Sequence, residues 1–236
     1  MSTNIKSPLF ILGAAPRSKI EIPEFFREDN PFVKLLKDPP HLRYMGWNML
    51  TLDHPKIVDG QCWEVRNGDR KTIRLYRDGS FVAIAYADST FLGWGQSEDE
   101  FFKHPRLNTL AVIEYVYEFV ELYRNILEHI PNTAEIRFEI GIKNTKVGNE
   151  SLFLIPQKIE DPFYFAAFNG GTISEDFSET VIEPVTNEIY YESRRVAYRI
   201  LSELFSKFSI ASDKIPYTNS DEQGKKFIDI SQFPKS

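Results

Sequence analysis

The stretch QCWEVRNGDRKTIRLYRDGSFVAIAYA, residues 61–87, decides the fold class. Asp78-Gly79 is a two-residue type I′ hairpin signal, since Asp-Gly tolerates the positive φ that such a turn requires. A two-residue loop there sets Arg77 opposite Ser80, Tyr76 opposite Phe81, Leu75 opposite Val82 and Ile73 opposite Ile84. Upstream, Asn67-Gly68 marks a second hairpin. A three-residue loop, Asn67 to Asp69, aligns Trp63 with Ile73 and keeps Val65 on the same face. The expected result is a three-stranded antiparallel meander whose inward face is Trp63, Val65, Ile73, Leu75, Val82 and Ile84.

Downstream, residues 109–129 read as a helix with Asn108 as N-cap. Its polar positions Glu114, Glu118, Glu121, Asn125 and Glu128 fall on one narrow stripe, and Pro131 follows its end. So little polar surface places the helix centrally against the sheet. Ile136, Phe138, Ile140 and Ile142 alternate with Arg137, Glu139, Gly141 and Lys143, the pattern of a half-buried strand over 134–143. Residues 152–155 are read as its partner strand, reached through the turn region 144–150, and residues 163–168 as a further strand. A polar, acidic loop is expected over 170–188. Then comes a helix from about Glu192 to Phe208, with an apolar stripe of Val196, Ala197, Ile200, Leu201, Leu204, Phe205 and Phe208. A short strand at Lys226–Ile230 closes the fold. The class expected is α+β, an antiparallel sheet packed on two main helices.

Upstream of the meander, Pro8, Pro16, Pro23, Pro31, Pro39, Pro40 and Pro55 leave little room for regular structure. Residues 1–60 are accordingly read as an irregular arm, with one short helix at Phe32–Lys37 after Asn30-Pro31. Residues 61–236 are read as one α+β domain.

Composition limits the function classes. The 236 residues are 14% aromatic, with 19 Phe and 11 Tyr, ample for a packed core. The net charge of −6 leaves no overall surplus of Lys and Arg to neutralise phosphates, which argues against autonomous nucleic-acid binding. Cys62 is the only cysteine, the apolar run Pro8–Ala15 is too short for a signal peptide, and no run approaches a membrane span of about 20 residues. A cytoplasmic location follows by elimination.

No catalytic, metal or cofactor motif assembles. Cys62 lies in an expected strand and reads as a small buried residue. The four histidines, His41, His54, His104 and His129, show no ligand spacing. Gly93-Trp94-Gly95 and Gly170-Gly171 lack a phosphate-binding fingerprint and read as turns. The pairs nearest to a nuclease pattern, around Glu135–Arg137 and Glu139 with Lys143, do not match it. The candidate binding residues are Trp94, as an exposed ring or a packed loop anchor, and Arg194, Arg195 and Arg199. These arginines could bind an anion, or form a solvated face with the helical pairs Glu192–Arg195 and Arg199–Glu203.

One ordered set of motifs goes further: Gly46-Trp47-Asn48, Asn67-Gly68-Asp69-Arg70-Lys71, Leu75-Tyr76-Arg77-Asp78-Gly79 and Phe91-Leu92-Gly93-Trp94. Leu107-Asn108-Thr109-Leu110 follows, with Glu114, Tyr115, Tyr117, Glu118 and Phe119, and then Lys214-Ile215-Pro216-Tyr217. Over about residues 40–230 this resembles the uncharacterised region that follows the Schlafen-type, AlbA-like DNA-binding module in some bacterial proteins. The resemblance implies an accessory domain with a protein partner. It brings no catalytic residues, and with no such module ahead of it in this sequence, nucleic-acid binding does not carry over.

Overall fold

A computed structural model of the chain describes residues 6–18, 20–43, 46–51, 53–68, 70–130, 135–156, 170–184 and 192–234. The meander is present as β3 (Cys62–Asn67), β4 (Lys71–Tyr76) and β5 (Phe81–Tyr86). The β4–β5 register differs by one residue from the sequence expectation. Leu75 lies opposite Phe81 and Ile73 opposite Ala83, so the loop has three residues, Arg77 to Gly79. Gly79 sits at φ +78°, donates to Tyr76 O at 3.0 Å, and lets Tyr76 N donate to Ser80 O at 2.8 Å. This is a tight turn followed by a glycine bulge.

A one-residue slip turns every side chain of a strand over. Phe81, Ala83 and Ala85 therefore point inward and are buried, while Val82 and Ile84 lie half-buried on the opposite face. The observed register is favoured because it buries a ring instead of a valine. Phe81 stacks on Phe119 at 5.1 Å and on Tyr123 at 5.9 Å, and the Tyr123 hydroxyl donates to Gly79 O at 3.1 Å. At the β3–β4 turn, Trp63 faces Leu75 and Val65 faces Ile73. That differs from expectation by two positions, so the inward face of Trp63, Val65, Ile73 and Leu75 is preserved.

The N-terminal residues are not the irregular arm expected. β1 (Leu9–Pro16) lies in the middle of the sheet, antiparallel to both β5 and β7 (Glu135–Lys143). Its sequence, LFILGAAP, is an unbroken apolar and small-residue run, with Phe10 and Leu12 buried in the core and Leu9 and Ile11 half-buried on the opposite face. Asn30 caps α1 (Pro31–Lys37) through Phe32 N, and β2 (Lys56–Val58) forms the far edge beside β3. The seven-stranded sheet runs β11-β7-β1-β5-β4-β3-β2 and is antiparallel at every step.

β11 (Phe177–Pro184) occupies part of the expected 170–188 loop and pairs with β7. Residues 152–155 do not pair with β7. They fall largely in β9 (Glu150–Leu154), which lies in a smaller sheet with β6 (Arg106–Leu107), β8 (Lys146–Val147) and β10 (Gly171–Ile173). The strand expected over 163–168 lies outside the described residues. Near the C-terminus, β12 (Thr218–Ser220) and β13 (Lys226–Ile228) make a separate hairpin.

Both main helices are where the sequence places them, and the fold is α+β. α3 (Thr109–Leu127) follows the short α2 (Glu98–Lys103), and Asn108 Oδ1 caps it by accepting from Ala111 N at 3.1 Å. α4 (Ser193–Lys207) buries the whole expected apolar stripe. α3 packs on α4 and on β1, and α4 packs on β7 and β11. A continuous apolar cluster joins Phe10 and Leu12 of β1, Phe81, Phe119, Phe138 and Leu204.

Candidate functional site

The site grows from the polar stripe of α3. On a helix whose other faces are apolar, Glu114 and Glu118 are one turn apart, and both are fully buried, against Leu42, Arg43 and Gly46. Buried carboxylates need partners. Glu114 receives a bidentate ion pair from Arg43, with Nε to Oε1 at 3.1 Å and a closer contact to Oε2. Glu118 accepts from Leu42 N. The fourth charge is Lys71, at the start of β4, whose ammonium donates to Asn48 O and lies 5.5 Å from the Phe91 ring centre. Asn48 ties the segment to itself, donating to Arg43 O at 3.1 Å and accepting from Leu50 N at 3.1 Å. Gly46 passes so close to Glu114 that a Cβ there would lie 2.0 Å from its Oε1.

Burial dominates the electrostatics. It pushes the Glu118 carboxyl up to about 8, assisted by the negative charges of Glu114 and Glu121 and opposed by the Leu42 N–H and Lys71. It pulls the Lys71 ammonium down to about 7, with Arg70 acting in the same direction and Glu118 against it. Beside them, burial raises the Tyr115 hydroxyl, which has no hydrogen-bond partner among the described residues. An acid and a base near neutrality could exchange protons, yet each is already held by a backbone group, Glu118 by Leu42 N–H and Lys71 by Asn48 O. As it stands, the cluster is a tether between that segment, α3 and β4.

The tether leads to the surface. Arg43 lies 5.7 Å from the Trp47 ring centre, and Trp47 Nε1 donates to Phe91 O at 3.1 Å. Trp94 meets Trp47 edge to face at 5.6 Å while remaining 57% exposed. Its flanking glycines are required by geometry. A Cβ on Gly93 would lie 2.7 Å from the Phe101 ring and 2.8 Å from the Asp88 backbone, and Gly95 has φ +96°. Asn108, the α3 cap, also donates to Trp94 O at 3.2 Å. Of the two sequence readings of Trp94, an exposed ring and a packed anchor, the ring is exposed and its loop is anchored.

The three arginines of α4 lie elsewhere and are engaged. Arg195 pairs with Asp221 at 2.6 Å and with Glu192 at 3.3 Å, as the helical spacing predicted for Glu192. Arg194 lies 5.0 Å from the Phe227 ring centre, and Arg199 follows one turn after Arg195. Among the described residues, the contacts of Trp94 run to Trp47, Phe91 and Asn108 and not to these arginines. Sequence reasoning missed the Arg43–Glu114 pair and the placement of Lys71. The available signal was a carboxylate stripe on a helix otherwise too apolar to face water.

Cys62 is buried, and burial pushes its thiol up, away from a reactive thiolate. Among the described residues no group of three or more His, Cys, Asp or Glu could hold a metal ion, and no helix is long and apolar enough to cross a membrane. Compared with protein-family models, curated proteins and solved structures, the chain matches none.

Proposed function

We propose that this chain is an accessory interaction domain without catalysis of its own, and that it recognises a protein partner through the Trp94 loop. The observation that carries this reading is a tryptophan 57% exposed on a loop whose backbone and neighbouring ring are fixed from below. Large rings held rigid before contact dominate protein interfaces, because little ordering entropy remains to be lost on binding. The resemblance of residues 40–230 to the region after the Schlafen-type module supports the same reading. Its motifs at Gly46–Asn48, Phe91–Trp94 and Asn108–Glu118 converge on this loop. A cytoplasmic, bacterial partner that itself binds nucleic acid or senses a signal fits that setting, and the net charge of −6 disfavours direct nucleic-acid binding by this chain.

The test is affinity purification of the full chain and of Trp94→Ala from the native host. A stoichiometric protein recovered with the wild type and lost with Trp94→Ala supports the proposal. Recovery that ignores the substitution, or nucleic acid bound to the purified chain, sinks it.

One observation favours a second reading, a ligand-binding or catalytic site acting on nucleotides or nucleic acid. Arg43, Glu118 with its raised carboxyl, and Lys71 gather behind Trp47 and Trp94. Turnover or saturable nucleotide binding that Lys71→Met abolishes would favour it over the interaction domain.

A further inference from the structure

A cleft that the Trp94 ring does not line runs between the residues leading into β1, the end of β5 and α2. It has two lobes that share Ser7, Asp88 and Thr90. The inner lobe, about 210 Å³, has apolar walls from Pro8, Phe101, Phe102 and Val147, with Lys6 and Glu98 also lining it. The outer lobe, about 460 Å³, adds Arg70 and Tyr86. The inner lobe is smaller than the roughly 300–1,000 Å³ of drug-sized pockets, and suits a single apolar side chain.

The charges on the walls define the occupant. Arg66, Arg74 and Arg77 of the same meander are all ion-paired. The Arg70 side chain, by contrast, has no ion pair, hydrogen bond or ring contact among the described residues. Asp88 Oδ1 accepts from Thr90 N at 2.9 Å and from Thr90 Oγ1 at 2.6 Å, while Oδ2 has no partner among the described residues. The lining therefore offers two cations, Lys6 and Arg70, and two carboxylates, Asp88 and Glu98. That balance disfavours a multiply charged anion, whose approach the carboxylates oppose, and complements a ligand bearing one charge of each sign. Phe102 is 40% exposed, a ring that such a ligand would cover.

We infer that this cleft binds a small zwitterion with a large apolar side chain, an α-amino acid of the leucine or phenylalanine type. Its carboxylate pairs with Arg70, its ammonium with Asp88 and Glu98, and its side chain enters the inner lobe against Phe101 and Phe102. The Trp94 ring lines neither lobe, although Gly93 beside it packs against Asp88 and Phe101.

Calorimetric titration of the full chain with L-phenylalanine, N-acetyl-L-phenylalanine and phenethylamine tests the assignment, because the second lacks the ammonium and the third the carboxylate. L-Phenylalanine should bind saturably, and each truncated analogue about tenfold or more weaker, the scale of one charge-assisted hydrogen bond. Arg70→Gln is an exposed substitution that removes no hydrogen bond, ion pair or ring contact among the described residues. It should weaken L-phenylalanine about tenfold and leave phenethylamine unchanged, while Phe102→Ala should weaken both. L-Leucine in place of L-phenylalanine tests the size of the inner lobe. No saturable heat with either amino acid up to about 10 mM, at the weak end of specific binding, would overturn the inference. So would equal binding of all three compounds, or indifference to Arg70→Gln.

Discussion

Removing Arg43 is the sharpest test of the tether. Arg43→Met keeps much of the side-chain bulk but strands Glu114, whose side chain is 0% exposed against 14% for Arg43. Breaking one partner of a buried pair costs about 3–5 kcal/mol, because the remaining charge is left in a medium that cannot solvate it. With a urea slope of about 2–3 kcal/mol/M for a chain of this size, the unfolding midpoint should fall by roughly 1–2 M. The assay is urea unfolding followed by tryptophan fluorescence, with Trp47 and Trp94 close to the perturbation. The double substitution Arg43→Met with Glu114→Leu removes both charges and should recover most of the loss, since apolar replacements of buried pairs are often neutral. A loss under about 1 kcal/mol in the single variant, or none of it recovered in the double, would refute the picture of a buried, mutually dependent pair.

Three other outcomes follow. Glu118 has a folded-state value near 8, above its unfolded one, so its contribution is complete below about pH 4.5 and is lost as pH rises towards 8. Glu118→Gln should therefore flatten the decline of the urea midpoint between pH 5 and 7, a window in which Lys71, lowered to about 7, remains protonated folded and unfolded through most of the range. Phe81→Ala should cost about 3–5 kcal/mol and Val82→Ala about 1 or less, and the reverse ranking by denaturation would contradict the glycine-bulge register. Asn108→Ala should cost about 1 kcal/mol by thermal unfolding and shift tryptophan emission, because the same side chain caps α3 and holds Trp94 O.

Much of the frame was legible because local periodicity and burial agree. α3, α4 and β7 each carry a long repeating pattern, and Asn108 before an apolar run has one local meaning. The β4–β5 turn was misread because Asp-Gly suits both a two-residue loop and a bulge. The choice rests with Phe119 and Tyr123, about forty residues away, which reward an inward Phe81. β1 was misread for a related reason. Leu9 and Ile11 on its half-buried face are as apolar as Phe10 and Leu12 in the core, so the run shows no alternation, and the surrounding prolines dominate the local signal. β11 was hidden because Glu179 and Glu183 look like loop residues, although Glu179 is paired with Lys207 of α4. As for the site, Trp94 was legible as a ring between glycines. Its support was not, because Arg43, Lys71 and Glu114 meet only through tertiary packing.

The position of β1 has a consequence for the order of assembly. Among the described residues it is the strand joining β2–β5 on one side to β7 and β11 on the other, and its first residue, Leu9, pairs with Lys143. The β3–β5 meander can close from local contacts, but β1 has one bare flank until β7 has been synthesised. Closure across so long a separation is entropically slow. A ribosome-bound chain that ended before β7 would therefore present the free edge of an apolar strand, a template for unwanted strand pairing at that stage.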